Sequence, residues 1–283
     1  MSIRLFPAAI ASIGLIAGCI ESADEELTTE PAQVRGGTTE PDHLFPWVVT
    51  FPSGCHGTLI SPGWILTAAH CMNHFGDVGA NGVGGVVNHV RTDPSTGLER
   101  AQSRTATLVR THPNFNFDGF NYLNDLALIR LGSLFTIDSL VRPAALPTTP
   151  PVPGELGTLA NSRVATPGQF GVYREPVPSY PTDSRGYFII SSASAHLCKG
   201  DSGTGLVRFE DNRAIVIGVA SEASECPAGP ITGSAETNFI NVYQYANHPQ
   251  TLALDRWILD SLNAARLTPS VTFSAQCAAS IGT

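Results

Sequence analysis

Three side chains that together can carry out nucleophilic chemistry stand in order along this chain. His70 ends the stretch GTLISPGWILTAAHC up to its cysteine, Asp125 heads NDLALIRL, and Ser202 sits within CKGDSGTG. A serine hydroxyl alone is a poor nucleophile and needs a base within hydrogen-bond reach. A neutral imidazole takes such a proton near neutral pH, which makes His70 the candidate base. The ring must be held in one tautomer and its transient cation stabilised. A buried carboxylate does both, and Asp125 is the candidate. The attacked carbonyl becomes an oxyanion and needs donors already aimed at it. The backbone N–H groups of Gly200 and Ser202 are the candidates, with glycine at 200 allowing a sharp turn and close approach of a substrate. Thr204 adds no donor to this set and reads as a change in packing. Taken singly, a histidine is usually structural, an aspartate before a strand is usually a turn residue, and GDSG is a tight turn. Only the ordered set with its flanks points to this chemistry.

The elements around these residues read as short strands. WVVTF (47–51), GTLIS (57–61), WILTAA (64–69), TATLVRT (105–111), LALIRL (126–131), GLVRF (205–209) and AIVIGVAS (214–221) are rich in Val, Ile and Leu and of ordinary strand length. The segment 147–186 is dominated by Pro, Gly, Ser and Thr and reads as loops and edge strands bridging two halves. LALDRWILDSLNAA (252–265) is the best helix, with Leu254, Trp257, Ile258 and Leu262 on one face. Residues 266–283 read as a polar tail. No fixed-period repeat is present.

Composition narrows the class. The chain has 283 residues, 27 Gly and 21 Pro, enough for one large domain of short strands and many turns. A net charge of −8 argues against a nucleic-acid partner. Part of that excess is local: Glu21, Asp24, Glu25, Glu26 and Glu30 lie in 20–33 with no base, so 20–33 reads as a flexible tether or propeptide. Residues 1–19 read as an export signal, with Arg4 ahead of the apolar run Ala8 to Ala17, which is too short for a permanent span. Export permits disulfides. The six cysteines are Cys19, Cys55, Cys71, Cys198, Cys226 and Cys277. His70 and His74 are four apart, but no HExxH surrounds them, so no metal and no cofactor is expected. His43, His56, His74, His89, His112 and His248 read as surface or satisfied core residues.

The three motifs, in the order His–Asp–Ser and with these flanks, resemble the chymotrypsin-like (trypsin-family) serine proteases over residues 34–265. The resemblance implies an all-β fold of two packed six-stranded antiparallel barrels, about 34–140 and 150–250, followed by a C-terminal α-helix. It implies a serine endopeptidase acting on a polypeptide substrate through an acyl-enzyme, as a monomer. It also implies disulfides Cys55–Cys71 and Cys198–Cys226, and leaves Cys277 without a counterpart. QVRGG resembles the family's activation sequence, which makes Val34 the residue freed by cleavage after Gln33 and pairs its ammonium with Asp201. By alignment His196 falls at the base of the primary pocket, where trypsin-like members carry Asp, so cleavage after Arg or Lys is not expected. Ser221, Glu222 and Ala223 stand where Ser-Trp-Gly is usual, and Thr237 falls on the pocket wall. Ala223 and Thr237 point to small apolar side chains before the cut bond; His196 and Lys199 point instead to an acidic one. LIAGC (15–19) resembles a bacterial lipobox, with Cys19 lipidated and the protein exported to a bacterial envelope; the alternative is an ordinary cleaved signal with an incidental cysteine and a secreted protein. The rival reading is a catalytically silent binding module of the same fold on the cell envelope.

Overall fold

The computed structural model describes residues 34–75, 85–119, 121–161, 168–178, 187–193, 195–223 and 235–243. All lie in one compact unit, Pro31–Thr283. The expected leader, tether, helix at 252–265 and tail fall outside the described residues, as do Cys19, Cys226 and Cys277.

The described chain is strands joined by turns, with two 3₁₀ turns at Asp42–Leu44 and His70–His74. The first half contributes β1 (Thr38–Pro41), β2 (Val48–Thr50), β3 (His56–Ser61), β4 (Trp64–Thr67), β5 (Val86–Thr92) and β6 (Glu99–Thr111). It continues with β7 (Asn116–Phe117), β8 (Tyr122–Leu123) and β9 (Ala127–Leu131). The second half contributes β10 (Leu156–Asn161), β11 (Gln169–Pro176), β12 (Tyr187–Ser192), β13 (Gly205–Glu210), β14 (Arg213–Ala223) and β15 (Ala235–Asn241). Every apolar run expected as a strand lies on one.

Strands β2-β3-β4-β9-β6-β5 close into an antiparallel barrel, while β7 and β8 form a small hairpin beside it. The other strands form a seven-stranded sheet in the order β1-β11-β10-β13-β14-β15-β12. The sheet curls so that its end strand β12 approaches β11, where the Ser192 hydroxyl donates to Glu175 without a ladder between those strands. Two expectations change here. The 147–186 segment was expected to supply edge strands, yet β10 and β11 are internal, flanked on both sides. Their glycines and threonines belong to close packing: a Cβ on Gly157 would sit 2.9 Å from Leu206. The N-terminal strand β1 pairs with β11, so residues 38–41 join the second sheet and the first barrel begins at β2.

The continuous apolar runs are explained by burial on both faces. In β4, Ile65 points into the closed barrel with Val49, Leu59, Val87 and Ile129. Its neighbours Trp64 and Leu66 point the other way, into a second core with Trp47, Phe170, Val172, Val207 and Val216 from the other sheet. The second sheet encloses its own core of Leu159, Tyr173, Ile190, Leu206, Ile217 and Phe239. The closed barrel's interior, the curled sheet's concave face and the layer between them are thus filled by alternate residues of these strands. Removing a large side chain from either face costs about 2–5 kcal/mol.

Candidate active site

The ladder between β4 and β9 brings the first two candidate residues together. Thr67 pairs with Ala127, so the residues just after β4 and just before β9 lie at the same end of the barrel. His70 follows Thr67 on the 3₁₀ turn, and Asp125 precedes Ala127. Asn124 takes a left-handed backbone, φ 53°, and its amide donates to the Asn114 carbonyl at 2.9 Å, which sets the turn that delivers Asp125.

Asp125 is fully buried. One carboxylate oxygen accepts the His70 backbone N–H at 2.7 Å; the other accepts His70 Nδ1–H at 2.6 Å and the Ser221 hydroxyl at 2.6 Å. The carboxylate can only accept, so the neutral ring is the Nδ1–H tautomer and its Nε2 lone pair is available to take a proton. The Tyr122 ring stacks on the imidazole, centroids 4.8 Å apart and planes 15° from parallel. Burial, and then the negative charges of Asp125 and Glu222, push the Tyr122 hydroxyl above its ordinary pKa.

Ser202 comes from the other sheet, three residues before β13. It lines a cavity of about 530 Å³ together with His70, Tyr122, Lys199, Asp201, Ser221 and Glu222. Leu197, Cys198, Ala220, Ala223 and Thr237 complete the wall. Among the described residues the Ser202 side chain makes no hydrogen bond, and His70 and Ser202 share one cavity without being bonded. Such contacts are commonly loose without substrate and tighten around it.

The glycines of the serine motif have separate tasks. Gly200 has φ 100°, which side-chain-bearing residues rarely adopt. Gly203 has φ 80°, and a Cβ there would lie 2.2 Å from Thr67 Oγ1 and 2.3 Å from the His56 carbonyl. It lets the serine loop of the second sheet touch the first barrel. Around it, the Ser202 carbonyl accepts the His56 N–H at 2.9 Å, and the Gly203 N–H donates to Ala220 at 2.8 Å. Asp201 is buried, and its carboxylate accepts the Cys198 N–H at 2.7 Å. Thr204, read as a packing change, is buried and donates both its N–H (3.2 Å) and its hydroxyl (2.7 Å) to the Asp201 carbonyl.

The remaining candidates are placed as follows. Ser221, Glu222, Ala223 and Thr237 line the cavity; His196 is buried and is not among its lining residues. The His196 backbone exchanges two hydrogen bonds with Arg35, at 2.9 and 2.8 Å. Val34 is buried in the second sheet's own core alongside Ala195 and Leu197. The Glu222 carboxylate accepts the Tyr122 N–H and, at 2.9 Å, the Asn238 amide, joining β14 to β8 and β15. The Cys55–Cys71 disulfide forms, Cα atoms 6.0 Å apart, and fastens the His70 turn to the loop before β3. Cys198 is also disulfide-bonded; its expected partner, Cys226, lies outside the described residues. Cys55, Cys71 and His70 form the one metal-ligand cluster among the described residues, but both sulfurs are spent on the disulfide and offer no thiolate.

The model of the family described as Trypsin matches residues 34–251. The chain belongs to the trypsin family. It is a serine-type endopeptidase. This trypsin-family chain is similar to Kallikrein-15 of Homo sapiens, 32% identical over 195 residues, spanning 58% of this chain and 72% of that protein. It is similar to Kallikrein-7 of Homo sapiens, 28% identical over 174 residues, covering 60% of this chain and 59% of that protein. With Trypsin alpha of Drosophila erecta it shares 25% identity over 253 residues, 82% of this chain and 88% of that protein. The all-β architecture is that expected of a trypsin-family protease, except that among the described residues the second expected six-stranded barrel is a curled seven-stranded sheet, to which β1 adds the extra strand.

Two residues of the candidate site have contacts that the sequence did not foretell. Tyr122 was not singled out, although its place three residues before Asp125 puts it on the turn that delivers the carboxylate. His56 reads from the sequence as a surface or satisfied core residue, and the structure makes it a core one. It is 1% exposed, and its Nδ1 also meets the Gly200 carbonyl at 2.9 Å. Its position directly after Cys55 was the available signal.

Proposed function

We propose that the protease cleaves peptide bonds with Ser202 as nucleophile, His70 as base and then acid, and Asp125 as the group orienting His70. Ser202 Oγ attacks the carbonyl carbon and its proton passes to His70 Nε2. The oxyanion is met by the Gly200 and Ser202 N–H groups. His70 returns the proton to the departing amine as the C–N bond breaks, and water repeats the sequence to free the acyl group. The observation that carries this reading is the buried Asp125 carboxylate on His70 Nδ1, in a ring that shares its cavity with Ser202. A fluorophosphonate probe should label the active protein on Ser202 and fail on Ser202→Ala. Absence of label on the active parent protein favours the silent binding module.

Activation follows from the same loop. Cleavage after Gln33 frees the Val34 ammonium to pair with Asp201 and order the oxyanion loop. Burial of Val34 and the Arg35–His196 bridge, one turn of chain from Asp201, support it. N-terminal sequencing of the active protein should begin at Val34; a start elsewhere ends this part of the proposal.

Specificity is not trypsin-like in this reading. Ala223 and Thr237 on the cavity wall favour a small apolar side chain before the cut bond, while Lys199 on the same wall and the buried His196 favour an acidic one. A peptide-library profile separates the two, and a preference for bulky aromatics removes both. We also propose that residues 1–19 direct export, that Cys19 carries a lipid on a bacterial envelope, that 20–33 form the tether, and that the protease acts as a monomer without metal or cofactor. Among the described residues no helix is long and apolar enough to cross a membrane. Mass spectrometry of the mature protein reads the lipid directly.

A further inference from the structure

We infer that His56 is a positioning residue for the oxyanion donors: its ring holds the Gly200–Asp201 peptide so that the N–H groups on either side face the substrate carbonyl. The inference rests on the reading of Ser202 as nucleophile and Gly200 and Ser202 as oxyanion donors.

A peptide unit is planar, with C=O and N–H pointing in opposite directions, so a bond to either end fixes the other. The plane between Gly200 and Asp201 is gripped at both ends. Its carbonyl accepts from His56 Nδ1 at 2.9 Å, and its N–H donates to the Cys198 carbonyl at 2.9 Å. The next plane has its Asp201 carbonyl held by the N–H and hydroxyl of Thr204, which turns the Ser202 N–H the opposite way. The plane after that has its Ser202 carbonyl held by the His56 N–H. His56 therefore holds two of three consecutive carbonyls, one with its backbone and one with its ring.

The ring bond matters most because it falls on a glycine at φ 100°. Glycine has no Cβ to resist rotation, so this is where the loop would flip most readily and carry the Gly200 N–H off its target. His56 is well placed to prevent it. It is 1% exposed, belongs to β3 of the closed barrel, and its own carbonyl accepts the Thr67 hydroxyl at 2.7 Å. The loop of one sheet is thus braced by a rigid strand of the other. A carbonyl only accepts, so Nδ1 must carry a proton for the brace to exist.

The test compares His56→Leu, which removes the donor at similar bulk, with His56→Asn, whose amide nitrogen can stand near Nδ1. Both are activated, titrated with the fluorophosphonate and assayed on a peptide amide. For His56→Leu we expect kcat to fall by roughly 10- to 100-fold with KM within about twofold, less than the roughly 100- to 1000-fold lost when an oxyanion donor is removed outright, because the donor is misplaced and not deleted. Inhibition by a peptidyl aldehyde, whose adduct carries the oxyanion, should weaken by a similar factor. His56→Asn should recover most of both. Unchanged kcat in His56→Leu, or equal loss in both folded variants, overturns the inference. If His56→Leu does not fold, ¹⁵N-histidine NMR of the parent decides: a protonated Nδ1 on His56 supports the brace, and a bare Nδ1 overturns it. Lack of Ser202 labelling in the parent brings down the underlying reading, whereas a defect-free His56→Leu with a labelled parent brings down this inference alone.

Discussion

Ser221 and His70 share one oxygen of Asp125: the Ser221 hydroxyl and the His70 Nδ1–H each approach Oδ2 at 2.6 Å. Ser221 belongs to the second sheet and His70 to the first barrel, so the carboxylate is held from both halves at once. A carboxylate with a fixed set of donors cannot rotate, and the ring bonded to it cannot either. Removing the Ser221 hydroxyl leaves Asp125 fully buried with one donor fewer. A hydrogen bond to a charged group is worth about 1.5–3 kcal/mol. Ser221→Ala is therefore expected to lower kcat by roughly tenfold, since each ~1.4 kcal/mol of barrier is a factor of ten. KM should stay within about twofold. Steady-state kinetics on a peptide amide checks this, and an unchanged kcat shows that the backbone N–H of His70 suffices to hold the acid.

Gly203 lies where the two halves approach closely. A methyl group there meets Thr67 Oγ1 at 2.2 Å and the backbone carbonyl of His56 at 2.3 Å, at φ 80°. The hydroxyl can swing away; the carbonyl cannot without moving β3. Gly203→Ala is expected to lose on the order of 2 kcal/mol or more of stability from strain and overpacking. The same displacement moves Ser202, so fluorophosphonate labelling should slow in the folded fraction. Denaturant melts and labelling rates together test it; native stability with native labelling means the strand gives way cheaply.

The disulfide between Cys55 and Cys71 closes a loop with a sequence separation of 16 and anchors the residue next to His70. Cross-links of this loop length typically contribute about 3 kcal/mol. The double replacement Cys55→Ala/Cys71→Ala should lose stability of that order in denaturant titration. It should also lower kcat, because the His70 turn loses its tie to the strand that carries His56. A variant as stable as the parent places the constraint in the barrel rather than the bond.

What could be read in the sequence was chemistry and periodicity. His70, Asp125 and Ser202 could be proposed from flanks that make sense together, and the strands from apolar runs buried on two faces. The runs also hid something, since Ile65 and Leu66 look alike in sequence yet fill different cores. Strands β10 and β11 passed for edge segments because glycine and threonine weaken the apolar signal, although Gly157 is there to admit Leu206. Long-range placements were out of reach: that β1 would pair with β11, or that the ring of His56 would reach a carbonyl 144 residues away. Both depend on how the two halves meet, which no local pattern encodes.

Two buried histidines set the acid side of the stability profile. His89 lies inside the first barrel, where its Nε2–H donates to the Pro46 carbonyl at 3.0 Å; burial first, then the nearby Arg91 charge, lower its pKa to about 3, with Asp138 opposing. Burial lowers His112 to about 4, and its Nδ1 accepts the Asn114 N–H at 3.2 Å. Unfolded, both return to about 6.5. Between roughly pH 6.5 and 4 the unfolded chain therefore binds protons that the folded chain refuses, and stability falls as pH falls. Each histidine contributes a slope of up to ~1.4 kcal/mol per pH unit in that window. The Glu40 carboxyl, lowered by its bond with Arg174, adds to the loss only at the acid end. Denaturant titrations at pH 7, 6, 5 and 4.5 should trace this slope. The replacements His112→Asn and His89→Gln, which keep the acceptor and the donor respectively, should flatten it together. A profile level from pH 7 to 4.5 in the parent, or equally steep in the double variant, removes these two residues as its cause.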